Sequence, residues 1–267
     1  MSYREVYEKW CNDPYFDEAS REELKALEGD EAEIEDRFYR QLEFGTGGLR
    51  GVIGAGTNRM NIYVVRQATQ GLANWVLTQG GTQTVAISYD SRLKSDVFAK
   101  TAAGVLAANG IKVYLYPHLM PTPALSFATR YLGCAIGINV TASHNPSAYN
   151  GYKVYGPDGC QITDEIADAI TEAIAQVDVF EDVRTMDFAR AIDEGLVRYI
   201  NEEVLDAFLD AVYEQSLEMP DEQGELRLVY TPLNGTGLEC VNRILERIGV
   251  RDVYMLSLIH ISEPTRL

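Results

Sequence analysis

The sequence predicts an α/β fold: a mixed, largely parallel sheet flanked by helices, followed by the start of a second, similar α/β unit. Three observations predict it. Apolar runs of strand length (TVAISYD, IKVYLYP, CAIGINV) alternate with helical segments of about ten to fifteen residues, the order that βαβ units produce. Helix stops at Gly80-Gly81 and Asn109-Gly110 punctuate that alternation. After a polar connector, MPDEQGE, the run LRLVYTPLNGTGLECVNRILERIGVRDVYML restarts strand, Gly-bearing turn, helix, Gly249 stop and strand.

The elements follow in order. The segment before residue 43 is helical in pattern, and Asp30 followed by Glu33 is a capping-box-like start for EAEIEDRFYRQLEF. The character then changes to FGTGGLRGVIGAGTNRMN, with six glycines in eighteen residues. Asn61 caps a helix reaching about Leu77, and the TVAISYD strand ends in Asp90-Ser91-Arg92. Helical periodicity covers Val97–Ala108 and Pro123–Leu132, with IKVYLYP as the strand between them. CAIGINV is a buried strand, TASHNP the loop at its end, and Tyr152-Lys153-Val154-Tyr155 a strand-like run. Thr163 caps DEIADAITEAIAQV, and EEVLDAFLDAVYEQSL follows as another helix near Glu202. The expected organisation is a helical segment at 1–42 packed on a first domain at 43–222, then the opening of a second domain at 226–255. The last residues, 256–267, depart from the acidic, Gly-punctuated style of the rest. LSLIHISEPTR resembles a translated sequencing adapter, so the natural sequence is expected to diverge after Met255, and His260 is set aside.

Composition restricts function. The 267 residues carry a formal charge of −17, which disfavours nucleic acid and anionic membrane as partners. No stretch approaches the ~18 apolar residues of a membrane span, and MSYREVYEKW does not read as a signal peptide. Cys11, Cys134, Cys160 and Cys240 form no CxxC pair and read as reduced packing residues of a cytoplasmic protein. The same negative charge means that a phosphate site needs strong local cations. Arg50, Arg59, Arg92 and Lys153 lie in or beside turn-like sequence where they can supply them.

Ser143 is the first candidate for chemistry, because a loop at the end of a buried strand is where an α/β protein presents a reactive group. His144 beside it suggests a hydrolase, but there is no GxSxG elbow and sequence neighbours seldom reach triad geometry. His118, in YPHLMPTP, reads as a loop or packing residue. In FGTGGLRG, the backbone of Thr46, Gly47 and Gly48 can approach a phosphate with Arg50 as the charge, or the glycines can simply serve a turn of positive φ. Neither a P-loop nor a dinucleotide fingerprint is present.

TASHNP followed by YNGYKVYG, and preceded by FGTGGLRG and GTNRMN, resembles the α-D-phosphohexomutases, most closely their phosphoglucomutase/phosphomannomutase branch. Asp90–Arg92, Pro121–Pro123 and Val229–Gly237 fit the same pattern. The resemblance implies that Ser143 is phosphorylated and passes its phosphoryl group to a hexose monophosphate, through a bound hexose 1,6-bisphosphate. It implies that Arg50 and Lys153 are cleft cations, with Lys153 moving a proton to or from the sugar hydroxyl. It implies that His144 and Asn145 hold the loop and contact phosphoryl oxygens, that Thr46, Gly47 and Gly48 line the cleft, and that Arg92 meets substrate phosphate. The family's Mg²⁺ is held by the phosphoserine oxygen, here on Ser143, and by aspartates of a DGDxDR-type loop that this sequence lacks. Weak or no Mg²⁺ binding and no turnover by the chain alone are therefore expected. The alternatives are a non-catalytic phosphosugar-binding or regulatory protein on the same domain, or phosphomannomutase or phosphopentomutase specificity.

Overall fold

The computed structural model describes residues 2–217, 226–233 and 235–256. The MPDEQGE connector and residues 257–267, on which most of the adapter-like reading falls, lie outside the described residues.

Three short helices come first: α1 (Tyr3–Asn12), α2 (Glu18–Lys25) and α3 (Glu31–Phe38). Each starts on a polar cap. Ser2 and Glu5 form a reciprocal capping box, Asp17 accepts from Ser20 N, and Asp30 accepts from Glu33 N. The α3 helix stops at Phe38 instead of continuing to Phe44. The following backbone bonds the Gly-rich segment instead, with Leu42 N donating to Thr57 O and the Thr57 hydroxyl donating to Arg40 O.

The main sheet has the order β1-β5-β4-β2-β3-β6. Its strands are β1 (Leu49–Val52), β2 (Thr84–Tyr89), β3 (Lys112–Leu115), β4 (Ile136–Val140), β5 (Tyr149–Tyr155) and β6 (Val197–Tyr199). The pairs β4/β2, β2/β3 and β3/β6 are parallel, whereas β5 runs antiparallel to both β4 and β1. The sheet is thus mixed and largely parallel, as expected. β1 lies inside the Gly-rich segment that the sequence presented as a loop, and β6 has only three residues. Both edge strands escape a search for apolar runs.

Between the strands lie α4 (Ile62–Thr78), α5 (Ser95–Ala108), α6 (Thr122–Tyr131), α7 (Asp164–Ala175) and the short α8 (Phe188–Asp193), with α9 (Glu202–Tyr213) following β6. Asn61 caps α4 through bonds from Tyr63 N and Val64 N, as its position predicts. Thr163 sits at the start of α7 but its side chain makes no cap bond. Strand alternation sends Val85, Ile87, Ile138, Val140, Tyr152 and Val154 into one core with Leu72, Phe98, Leu106 and Ile170 from the helices. The other face packs Ala86 and Tyr155 against Leu125. β4, buried at every position, is the central strand that ends at the serine loop.

The N-terminal helices bury Trp10, Phe16, Leu24, Ile34 and Phe38 against Ala55 and Tyr63. Trp10 stacks on Phe16 at 4.1 Å between ring centroids, and the Tyr63 hydroxyl donates to Asp17. After the connector come β7 (Arg227–Tyr230), α10 (Leu238–Arg247) and β8 (Asp252–Met255). β7 and β8 pair in parallel as a two-stranded sheet of their own, separate from the main sheet. The α10 helix packs on α9, burying Cys240 beside Met120. Arg243 pairs with Glu202 and Asp206, and Arg247 with Asp206 and Asp210. Cys11 and Cys134 are likewise buried, whereas Cys160 is exposed and does not pack as the sequence suggested.

Candidate active site

Ser143 stands beyond the carboxyl end of β4, next to the carboxyl end of β2, with Asp90 N donating to Val140 O between the two strands. That edge of a parallel sheet is the usual place for ligand chemistry. Ser143 is exposed and has φ +52°, in the left-handed region. For a side-chain-bearing residue that conformation costs about 1–2 kcal/mol, so neighbouring bonds must hold it.

Those bonds are present. Ser143 N donates to Thr141 Oγ1 at 3.0 Å, and the Thr141 hydroxyl donates to Asp90 Oδ2 at 2.6 Å. The other Asp90 oxygen accepts from Arg92 N at 3.0 Å and from the Ser95 hydroxyl at 2.8 Å. Arg92 Nη2 donates to the carbonyls of Ser143 and Asn145. Its Nη1 donates to those of Pro146 and Tyr149 at 2.9 and 3.0 Å, and its Nε faces Asp90 at 3.6 Å. Only 13% of the Arg92 side chain is exposed. A guanidinium has five N–H donors, and here each faces a protein oxygen. In this arrangement the terminal donors of Arg92 go to the carbonyls of the loop.

Lys153 approaches from β5. Its Nζ donates to Ser143 Oγ at 3.0 Å. Burial pushes the Lys153 amine below the usual lysine range, the Arg50 charge lowers it further, and Asp90 opposes both. β1 brings Arg50 opposite Gly151, one alternation from Lys153 on the same face of the sheet. The glycine loop reaches the same neighbourhood by backbone. Gly48 has φ +73°, and a Cβ there would lie 1.9 Å from Tyr152 O, so no larger residue fits. Gly47 and exposed Thr46 form the tip of this hairpin, where Gly48 N donates to Gly45 O at 2.6 Å and Thr46 O accepts from Gln161 at 2.7 Å. The positive-φ turn is present, and Gly48 packs against the Tyr152–Lys153 backbone.

A cleft of about 440 Å³ is lined by Asp90, Ser91, Arg92, Leu93, Ser143, His144, Asn145 and Ser147. His144 is exposed on its wall, and Asn145 Oδ1 is buried without a hydrogen-bond partner. Arg59, expected as a phosphate cation, goes elsewhere: its side chain is buried and bound to Glu33 and Asp36 of α3. His118 is exposed on the loop after β3 and does not line the cleft. Sequence reasoning missed Thr141 and Asp90 as supports, although TASHNP and YDSR contain them. Their role depends on β2 and β4 being neighbours, which no spacing along the chain displays.

Among the described residues, no three His, Cys, Asp or Glu side chains converge as metal ligands. Asp90, linked to Ser143 N through Thr141, has its oxygens occupied by Thr141, Ser95 and Arg92. Among the described residues, the donors around Ser143 do not make a Mg²⁺ site of their own. No helix among the described residues is long and apolar enough to cross a membrane.

The family model for phosphoglucomutase/phosphomannomutase, alpha/beta/alpha domain I, matches residues 41–181. A phosphoglucomutase of Staphylococcus haemolyticus is 34% identical over 224 residues, covering 84% of this chain and 40% of its own length. A phosphoribomutase of Saccharomyces cerevisiae is 37% identical over 243 residues, covering 85% of this chain and 38% of its own. The solved structure of a Thermus thermophilus protein assigned to the phosphomannomutases superposes with a TM-score of 0.67 at 29% identity. The match covers 81% of this chain and 46% of that one. The chain therefore spans about two fifths of the length of the curated relatives it matches.

Proposed function

The chain belongs to the phosphoglucomutase/phosphomannomutase family, and from that premise we propose that it carries the phosphoserine half of a sugar phosphomutase site. One observation carries the reading: Ser143, held in a left-handed conformation at the carboxyl edge of the sheet, has its Oγ 3.0 Å from the Lys153 amine. A phosphoserine stores a phosphoryl group until an acceptor is placed in line and cations offset the charge. A sugar hydroxyl attacks the Ser143 phosphorus, the Oγ–P bond breaks, and the hydroxyl proton passes through the Lys153 amine to Oγ. The reverse of this step reloads Ser143 from the sugar bisphosphate. Arg50 adds positive charge beside Lys153, His144 and Asn145 meet phosphoryl oxygens, and the Thr46–Gly48 backbone lines the opposite wall. Residues 43–222 act as the serine-bearing domain, residues 1–42 as its helical cover, and 226–255 as the start of the next unit.

Glucose 1,6-bisphosphate and ribose 1,5-bisphosphate are the donors to compare, since one relative is named for glucose and another for ribose. Intact-mass analysis of the chain after incubation with each is expected to show one phosphoryl group on Ser143, absent in Ser143→Ala. No phosphoryl uptake from either donor overturns the reading. We further assign the chain this half-reaction without turnover of a sugar monophosphate. Turnover above the Ser143→Ala background contradicts that.

A further inference from the structure

The Ser143 peptide is tied at both ends by one pair of residues. Its N–H reaches Asp90 through the Thr141 hydroxyl, and its C=O is held by Arg92, whose Nε faces Asp90 again. Arg92 also takes the carbonyls of Asn145, Pro146 and Tyr149, so the loop closes around its guanidinium. Asp90 is fixed in turn by Ser95, and Asn150 of β5 bonds both the Ser95 hydroxyl and Leu93 O. A planar fork can satisfy four carbonyls through its two terminal nitrogens while Nε stays in ion-pair range of a carboxylate, which an ammonium cannot.

We propose that Arg92 and Asp90 are a positioning pair: they hold Ser143 at positive φ so that Oγ faces Lys153, and Arg92 acts on phosphoryl transfer without touching the phosphate. Without the pair, the loop relaxes toward negative φ and the Oγ direction is lost. The proposal rests on the phosphoserine reading for its catalytic consequence and on loop geometry alone for its structural one.

The test uses the 267-residue chain with Arg92→Gln, Arg92→Lys and Asp90→Asn variants. Amide hydrogen exchange across residues 142–149 is expected to accelerate by about tenfold or more in all three, with β2 and β4 amides unchanged. Single-turnover phosphorylation of Ser143 by glucose 1,6-bisphosphate is expected to lose about 100-fold in maximal rate, the scale of a small misplacement of a reacting group. The half-saturating bisphosphate concentration stays within about twofold, because no donor of Arg92 meets the ligand. Full activity in Arg92→Lys, a rise in half-saturation matching the lost rate, or unaltered loop exchange overturns the proposal. If the unsubstituted chain takes up no phosphoryl group, the phosphoserine reading falls, and the exchange comparison of the Lys and Gln variants still decides whether the pair holds the loop.

Discussion

Lys153 Nζ lies 3.0 Å from Ser143 Oγ, joining the middle of β5 to the tip of the loop that leads into it. The contact spans ten residues of chain and depends on the antiparallel return of β5 along β4, where Lys153 pairs with Asn139. Among the described residues, it places a proton-carrying amine directly on the Ser143 hydroxyl.

The electrostatics of that contact predict a pH dependence. Burial, and then the Arg50 charge, lower the Lys153 pKa, so the neutral amine appears at lower pH than for an ordinary lysine. The phosphorylation rate of Ser143 is expected to rise with pH through a titration below the usual lysine range. Lys153→Met removes that limb and slows the step by about 10²–10⁴-fold. Arg50→Gln removes a like charge and moves the limb to higher pH. A limb that stays in place in Arg50→Gln contradicts the assignment.

The Gly48 contact predicts a backbone failure. Alanine there combines a φ of +73° with a Cβ placed 1.9 Å from a carbonyl oxygen. Gly48→Ala is expected to destabilise by more than about 1 kcal/mol, and thermal melting is expected to shift by several degrees. Gly47→Ala, with nothing near its Cβ position, is the control. Equal melting temperatures for the two variants disprove the close approach.

Asn61 links the Gly-rich segment to α4. Its Nδ2 donates to Gly54 O and Gly56 O, while its Oδ1 accepts from two helix N–H groups. Asn61→Ala removes a cap and orphans buried carbonyls, an expected loss of about 3 kcal/mol. Asn61→Asp keeps the cap oxygen but turns a buried carboxylate oxygen onto the Gly54 and Gly56 carbonyls, so its denaturant midpoint is also expected well below the parent's. A midpoint for Asn61→Ala equal to the parent's refutes the linking role.

The Arg243 and Arg247 pairs on α9 predict salt sensitivity. These side chains are about a quarter exposed and their acidic partners more so. At 1 M salt the screening length falls to about 3 Å. Amide exchange in residues 227–255 is then expected to accelerate before that of β2 or β4. Simultaneous acceleration in both regions rules out an ionic attachment of this unit.

Much of the fold is written in local pattern. TVAISYD, IKVYLYP and CAIGINV carry enough apolar residues to mark the buried strands, and Asn61 marks the start of α4 by its cap chemistry. β1 is hidden because Gly51 and Arg50 break its apolar alternation, and its stability comes from the bonds to β5. At the site, Ser143 and Lys153 are legible as residue types in a family-like pattern. The commitment of Arg92 is not, because its partners are backbone carbonyls, which every residue has. Arg59 misleads for a related reason: a cation near glycines looks available until α3 brings Glu33 and Asp36 to it.

The left-handed backbone at Ser143 also selects the amino acid that can carry the phosphoryl group. Threonine has the same hydroxyl chemistry, but its branched Cβ is a poor occupant of positive φ. A Ser143→Thr chain must either abandon the turn, which takes the oxygen away from Lys153, or keep it under strain. The methyl group that separates the two alcohols is therefore excluded here by the shape of the main chain, before any substrate enters the cleft.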